Sequence, residues 1–190
     1  MAKRLTRIER REQLLLMAER IVRDEGADAL TLITLAEKVG VSKPVTYDQF
    51  AKRENLLVAL YERYDERFIA VVRDAVESEA DTLKAAAQIV SQGYVDCVMR
   101  CGPVYDAVVA ALSAYPEFSD LRHKIRESFI EAYIGIFGPL SSLSGAQMYQ
   151  YLIAFYGASE EMGRAILAGV IQKEAAVDVL AELIVSLLGR

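Results

Sequence analysis

The residues able to do chemistry in this chain are few and scattered. Cys97 and Cys101 stand four positions apart, so a helix brings both thiols to one face, where they suit oxidant sensing or the start of a soft-metal site. Against that, reduced cysteines are common small core residues, and helix geometry does not favour a bond between them. His123 is the single histidine, which leaves few soft ligands for a metal. His123 and Arg126, one turn apart, suit an anionic group, but beside Arg122 and Lys124 they fit a solvated face better. Lys3, Arg4, Arg7, Arg10 and Arg11 form a basic cluster suited either to phosphate or minor-groove contact or to a solvated helix start. Acidic pairs such as Glu160-Glu161 fall on helical patterns. The 190 residues contain no glycine-rich phosphate loop, nucleophile elbow or metal-binding histidine pair. No catalytic residue, metal site or cofactor is expected, and an enzyme is the weaker class of function.

A stronger signal lies in the elements from Thr31 to Leu57. Leu32, Leu35, Ala36 and Val39 recur at three- and four-residue steps, which predicts a helix of about two turns with one apolar face. Thr31 is placed to cap its start and Gly40 to end it. Ser42 is the expected cap of the next helix, with Pro44 in its first turn, where a missing amide costs little. The segment from Val45 to Phe50 is too short to be stable alone and must lean on its neighbours. Upstream, Ile8, Leu14, Leu15, Ala18, Ile21 and Val22 predict an amphipathic helix ending near Gly26. Downstream, Leu56, Leu57, Leu60, Tyr64, Phe68, Val71 and Val72 predict a long helix from about Glu54. The pattern is a helix-turn-helix, a device for placing one helix in the major groove of double-stranded DNA.

Net charge of −5 looks wrong for a nucleic-acid binder until the chain is divided. Residues 1–60 hold 11 Lys+Arg against 9 Asp+Glu, whereas the remainder holds 11 against 18. Charge is therefore segregated, as expected if only the N-terminal part meets phosphate. Hydrophobic content of 53% suffices for a core, but no stretch approaches about 18 uncharged apolar residues. The start MAKRLTRIERRE lacks the apolar centre of a signal peptide, so a cytoplasmic protein without a membrane partner is expected.

The order Gly26, Thr31, Leu35-Ala36, Gly40-Val41-Ser42, Tyr47, Phe50 and Leu56-Leu57 resembles the N-terminal signature of the tetracycline-repressor (TetR) family of bacterial regulators. The likeness covers roughly residues 8–60. It implies an all-α homodimer of about nine helices per chain, with a DNA-binding head at residues 1–55 and an effector-binding, dimerising body at residues 56–190. By this resemblance Lys43 reaches base edges, where it can donate to guanine O6 and N7. Pro44 and Val45 touch a thymine methyl, Tyr47 and Gln49 contact phosphate, and Phe50 anchors the short helix. Arg53 stands at the start of the fourth helix, where the family usually has a phosphate-binding lysine. Tyr47 is expected to turn its ring inward and its hydroxyl outward.

Several residues depart from the family pattern. Leu32 replaces a second threonine that commonly binds phosphate, leaving Thr31 alone at that end. Thr46 replaces an apolar residue, although its hydroxyl can return to a carbonyl in the preceding turn. Lys52 replaces a capping serine. Asp48 places a carboxylate toward DNA, where it is repelled unless it accepts from cytosine N4 or pairs with Lys52.

The remaining chain reads as helices. One carries Leu83 to Val98 and stops at Gly102-Pro103; a shorter one carries Val104 to Leu112. A third runs from Phe118 to Phe137, a fourth from Met148 to Leu167, and the last from about Lys173 to Leu188. The last two have too much apolar surface for one chain, and the resemblance implies a four-helix dimer interface. Its expected residues are Tyr156, Gly163, Leu167, Val179, Leu180, Leu183 and Leu187. Tyr94, Met99, Tyr105, Phe129, Tyr133, Tyr151 and Phe155 are the expected lining of a largely apolar pocket for a small-molecule effector, with plain core packing as the competing explanation. The mechanism implied is a ligand-responsive regulator, usually a repressor in this family. It binds a pseudo-palindrome as a dimer and is released when an effector alters the spacing of its recognition helices through the long helix from Glu54. A helical protein-binding adaptor without DNA affinity is the alternative.

Overall fold

The Thr6 hydroxyl accepts a hydrogen bond from the Glu9 amide, and the Glu9 carboxylate accepts one from the Thr6 amide, closing a capping box that starts helix α1 (Arg7–Glu25). The computed structural model describes residues 5–189. Lys3 and Arg4 of the basic cluster lie outside the described residues. After a 3₁₀ turn at Ala27–Ala29, α2 (Leu32–Val39) is capped by Thr31, whose hydroxyl accepts from the Thr34 amide at 3.0 Å. Gly40 ends α2 in the left-handed conformation, with φ 74° and ψ 38°, which glycine adopts without a Cβ clash. Next come α3 (Lys43–Phe50), α4 (Arg53–Glu79), α5 (Leu83–Ser113), α6 (Leu121–Phe137), α7 (Gly145–Leu167) and α8 (Lys173–Leu188). Among the described residues the fold is all-α with no strand.

The chain divides into two compact units, Met1–Tyr64 with Pro103–Leu121, and Asp65–Gly102 with Arg122–Arg190. In the first, α2 packs on α1 and on α3. Its centre holds Leu14, Ala18, Leu35, Leu56, Leu60 and Leu112. Arg63 of α4 reaches Glu12 and Glu19 of α1, and the hydrogen bonds it donates to Glu12 hold its proton more tightly than usual. In the second unit α7 packs on α8 over a core that includes Val90, Ile130, Phe137, Met148, Leu152 and Leu180.

Three local expectations are corrected. Ile8 is not in the apolar face of α1 but 82% exposed, because it lies in the first turn, beyond the surface that α1 buries. Ser42 occupies the N-cap of α3 without making a side-chain capping bond. The stop expected at Gly102-Pro103 is absent: α5 continues through Pro103 to Ser113. Proline removes a single rung there, and burial of Val104, Val108 and Leu112 beyond it outweighs that loss. The fusion leaves eight α-helices among the described residues where about nine were expected.

The joint between α3 and α4 is strained. Ala51 has φ 60° and ψ −48°, and the Lys52 amide donates back to the Phe50 carbonyl at 2.6 Å, making a γ-turn with positive φ. An L-residue in this region costs about 1–2 kcal/mol. Replacing Ala51 by glycine is expected to raise stability by up to about 1 kcal/mol after glycine's entropy cost, whereas Ala51→Val should lower it by about 1–2 kcal/mol, both read from urea midpoints.

Candidate nucleic-acid interface

Helix α3 owes its position to contacts on its inward side. Phe50 and Thr46 are both buried, and the Thr46 hydroxyl lies 2.9 Å from two carbonyls, Lys43 in its own preceding turn and Leu32 at the start of α2. One hydroxyl proton shared between them ties α3 to α2 and satisfies a buried polar group. Leu32 is buried, so its side chain makes no outward contact, while its carbonyl serves as this anchor. Thr31 is half-buried and occupied by its cap.

The opposite side of α3 is open. Lys43, Pro44, Tyr47 and Asp48 are all exposed, at positions i, i+1, i+4 and i+5 that share one arc of the helix. Val45 and Gln49 are half-buried at the edges of that arc. Tyr47 is 46% exposed, so part of its ring as well as its edge faces outward. The arc carries one cation and one anion. Lys52 does not pair with Asp48: its Nζ lies 3.4 Å from Glu117 and 3.8 Å from Glu54. A hydrogen bond from Glu117's own backbone amide, with Lys52 adding to it, holds the Glu117 carboxyl below the usual carboxylate range.

Two expected outward cations turn inward instead. Arg53 donates from Nε to the Leu30 carbonyl at 2.7 Å, from Nη2 to the Ala27 carbonyl at 2.8 Å and from Nη1 to the Tyr115 hydroxyl at 2.8 Å. With its planar fork engaged this way, Arg53 is a clamp joining α4, the turn before α2 and the loop after α5. A lysine, the usual residue there, could not make this fork. Arg11 lies over the Phe50 ring, 4.8 Å from its centroid, and donates to the Gln49 carbonyl at 3.2 Å. It satisfies an orphan carbonyl at the end of α3 and so holds that helix rather than reaching out. Tyr115 and Glu117, which complete these contacts from sixty residues away in the chain, carry no local sequence signal.

In the second unit an aromatic cluster gathers four of the expected pocket residues. Phe129 contacts Tyr133, with ring centroids 6.2 Å apart; Tyr133 meets Phe155 edge-on at 5.6 Å; and Tyr94 and Phe129 both contact Phe68, at 6.5 and 5.8 Å. Phe68, which the apolar pattern of α4 had marked only as a packing residue, is thus central to it. Burial pushes the phenols of Tyr94, Tyr133 and Tyr156 above their ordinary range, so they stay neutral and act as hydrogen-bonding or ring surfaces. Tyr151 is half-buried beside the same core. Two expected residues are elsewhere. Tyr105 belongs to the first unit, edge-on to Tyr64 at 6.3 Å, and Met99 is exposed on α5.

The expected dimer residues separate in the same way. Leu180 is 0% exposed and packs inside its own chain. Gly163 is also buried: a Cβ there would lie 2.8 Å from the Tyr94 hydroxyl, which donates to the Ser159 carbonyl at 2.6 Å. Its missing side chain admits Tyr94, so it serves the packing of α5 on α7. Tyr156 contacts Phe129 at 6.1 Å and is part of the aromatic cluster. Val179 and Leu167 are exposed, and Leu183 and Leu187 are half-buried. Among the described residues no group of three or more His, Cys, Asp or Glu is placed to hold a metal ion, and no helix is long and apolar enough to cross a membrane.

These helices, in this order, make the fold of the TetR-family transcriptional regulators, with a helix-turn-helix at the N-terminal end. A TetR-like transcriptional regulator from Rhodococcus sp. RHA1 superposes with a TM-score of 0.69 at 22% identity, over 95% of this chain and 96% of its own. In sequence, the HTH-type transcriptional activator FasR of Mycolicibacterium smegmatis is 36% identical over 101 residues, covering 48% of this chain and 46% of FasR. The nucleoid occlusion factor SlmA of Aliivibrio fischeri is 36% identical over 76 residues, 40% of this chain and 39% of SlmA. The chain therefore spans less than half the length of the curated relatives it matches. No family model matches it.

The Arg53 clamp can be tested without DNA. Arg53→Ala leaves two carbonyls and a phenol without their donor and is expected to cost about 2–4 kcal/mol in urea unfolding. Arg53→Lys, which keeps the charge but not the fork, should recover less than half of that loss.

Proposed function

We propose that this chain is a DNA-binding transcriptional regulator of the TetR type, acting as a homodimer whose α3 helices enter the major groove. The observation that carries the reading is the outward arc of α3, where Lys43, Pro44, Tyr47 and Asp48 stand free of the packing that Thr46 and Phe50 provide behind them. Lysine at the first turn can donate to guanine, Pro44 and Val45 offer apolar contact to a thymine methyl, and Tyr47 and Gln49 reach phosphate. Asp48 selects cytosine by accepting a hydrogen bond from its N4 amino group and disfavours other bases, so it contributes specificity at the expense of affinity. Lys52 and the N-terminal cations other than Arg11 supply further sequence-independent attraction. Arg53 is left out of this surface.

Residues 1–55 act as the DNA-binding head and residues 56–190 as the effector-binding, dimerising body of a cytoplasmic regulator. The aromatic cluster around Phe129 and Tyr133 supports a small, largely apolar effector, whose binding shifts the population of head spacings through α4 and releases the operator. Repression by occluding a promoter is the proposed outcome. Dimerisation uses the outer faces of α7 and α8, where Leu167 and Val179 remain exposed, flanked by Leu183 and Leu187.

Replacing Lys43 and Tyr47 together by alanine is expected to weaken binding to duplex fragments selected from the source genome by about 10- to 200-fold, with the dimer and the unfolding midpoint intact. Unchanged affinity in a gel-shift titration would reject α3 as the reading surface. Val179→Asp is expected to convert the dimer to monomer in sedimentation at micromolar concentration and to weaken operator binding in parallel. A wild-type chain that sediments as a monomer yet binds the operator normally would overturn the twofold arrangement.

A further inference from the structure

The sulfurs of Cys97 and Cys101 lie 3.4 Å apart on α5, and the Cys101 thiol also sits 2.9 Å from the Cys97 carbonyl. The two positions differ in access: Cys97 is partly open, whereas Cys101 is 4% exposed. Hydrogen bonding from Cys101 and the positive charge of Arg100 pull the Cys97 thiol below its usual range, against the opposing effect of burial. A partly open, acidified thiol with a second, buried thiol behind it is the arrangement of an attacking and a resolving cysteine.

The backbone around the pair is weakened where a bond would strain it. Two residues beyond Cys101, Pro103 brings no amide to the Met99 carbonyl, so α5 lacks a rung that overlaps the end of the segment the two cysteines bracket. In a regular helix, positions four apart keep their Cβ atoms about 5–6 Å from each other, whereas a disulfide needs about 3.5–4.5 Å. The bond therefore closes only if this stretch of α5 contracts and loses regular helix.

We propose that Cys97 and Cys101 are a hydroperoxide-sensing dithiol that closes to a disulfide within α5 and distorts that helix. The Cys97 thiolate attacks the terminal oxygen of the hydroperoxide. The S–O bond forms as the O–O bond breaks, and the departing alkoxide takes a proton to leave as alcohol. Cys101 then attacks the Cys97 sulfenic sulfur; the S–S bond forms, the S–O bond breaks, and hydroxide leaves as water with the Cys101 proton. Two thiols are oxidised by two electrons, and one hydroperoxide is reduced to alcohol and water. The step itself is independent of the function proposed above. Its consequence for operator affinity rests on that reading.

The test treats the full chain with stoichiometric cumene hydroperoxide and follows intact mass, tryptic peptides, helical circular dichroism and operator affinity. Trypsin cleaves after Arg100, between the cysteines, so the disulfide alone keeps the two flanking peptides joined. The expected result is loss of two hydrogens, a linked peptide pair, reduced helical signal and about a tenfold change in operator affinity, all reversed by dithiothreitol. Cys97→Ser should not react, while Cys101→Ser should stop at a dimedone-trappable sulfenic acid with unchanged helicity and affinity. An interchain disulfide, first oxidation at Cys101, or a closed disulfide that leaves helicity unchanged would each overturn the proposal. If the reduced protein binds no duplex, the DNA reading fails, and the mass and helicity arms still decide the dithiol.

Discussion

An eight-residue helix with no side-chain cap of its own cannot persist in water, so everything about α3 depends on what holds it from behind. The anchors are specific. Thr46 shares its proton with carbonyls of α2 and α3, Phe50 fills the space beneath, and Arg11 covers the Phe50 ring and donates to the Gln49 carbonyl near the end of the helix. Behind these, Arg53 ties the start of α4 to the turn preceding α2. The inward face of α3 is fixed by hydrogen bonds to two other segments, α1 and α2, and by the burial of Phe50. Its outward face, with Lys43, Pro44, Tyr47 and Asp48, is left free to vary without loosening the helix.

This separation explains how residues that depart from the family pattern are tolerated. Thr46 in an apolar position would orphan a buried hydroxyl if it had no acceptor, but Leu32 and Lys43 each supply a carbonyl. The strained turn at Ala51 then brings α4 in directly after α3 with a single residue between Phe50 and Lys52. Arg53 is thereby brought within reach of Leu30 and Ala27. Arginine and lysine are not equivalent at this position, because only the planar guanidinium reaches three acceptors at once.

What the sequence disclosed was local, and what it hid was long-range. The apolar spacing of α2, the Thr31 cap and the left-handed Gly40 were legible because each depends on neighbours within four residues. The role of Arg53 was not, since its partners lie 23, 26 and 62 positions away. The continuation of α5 through Pro103 was hidden for a related reason: proline is a strong local stop signal, and only burial of the following turns overrides it. Apolar periodicity likewise could not tell which neighbour a residue meets. Leu180 and Gly163 looked like interface surface, but both are covered by their own chain, and Tyr105 packs in the unit that holds the helix-turn-helix.

The central claim is that the outward arc of α3, helped by surrounding cations, reads duplex DNA. The most direct measurement is the affinity of the purified chain for a selected genomic duplex as a function of salt. Several phosphate contacts predict that the logarithm of affinity falls linearly with the logarithm of salt, with a slope of about −0.9 for each phosphate neutralised. A chain that retains no duplex even at the lowest salt, or whose binding is indifferent to it, would contradict the account.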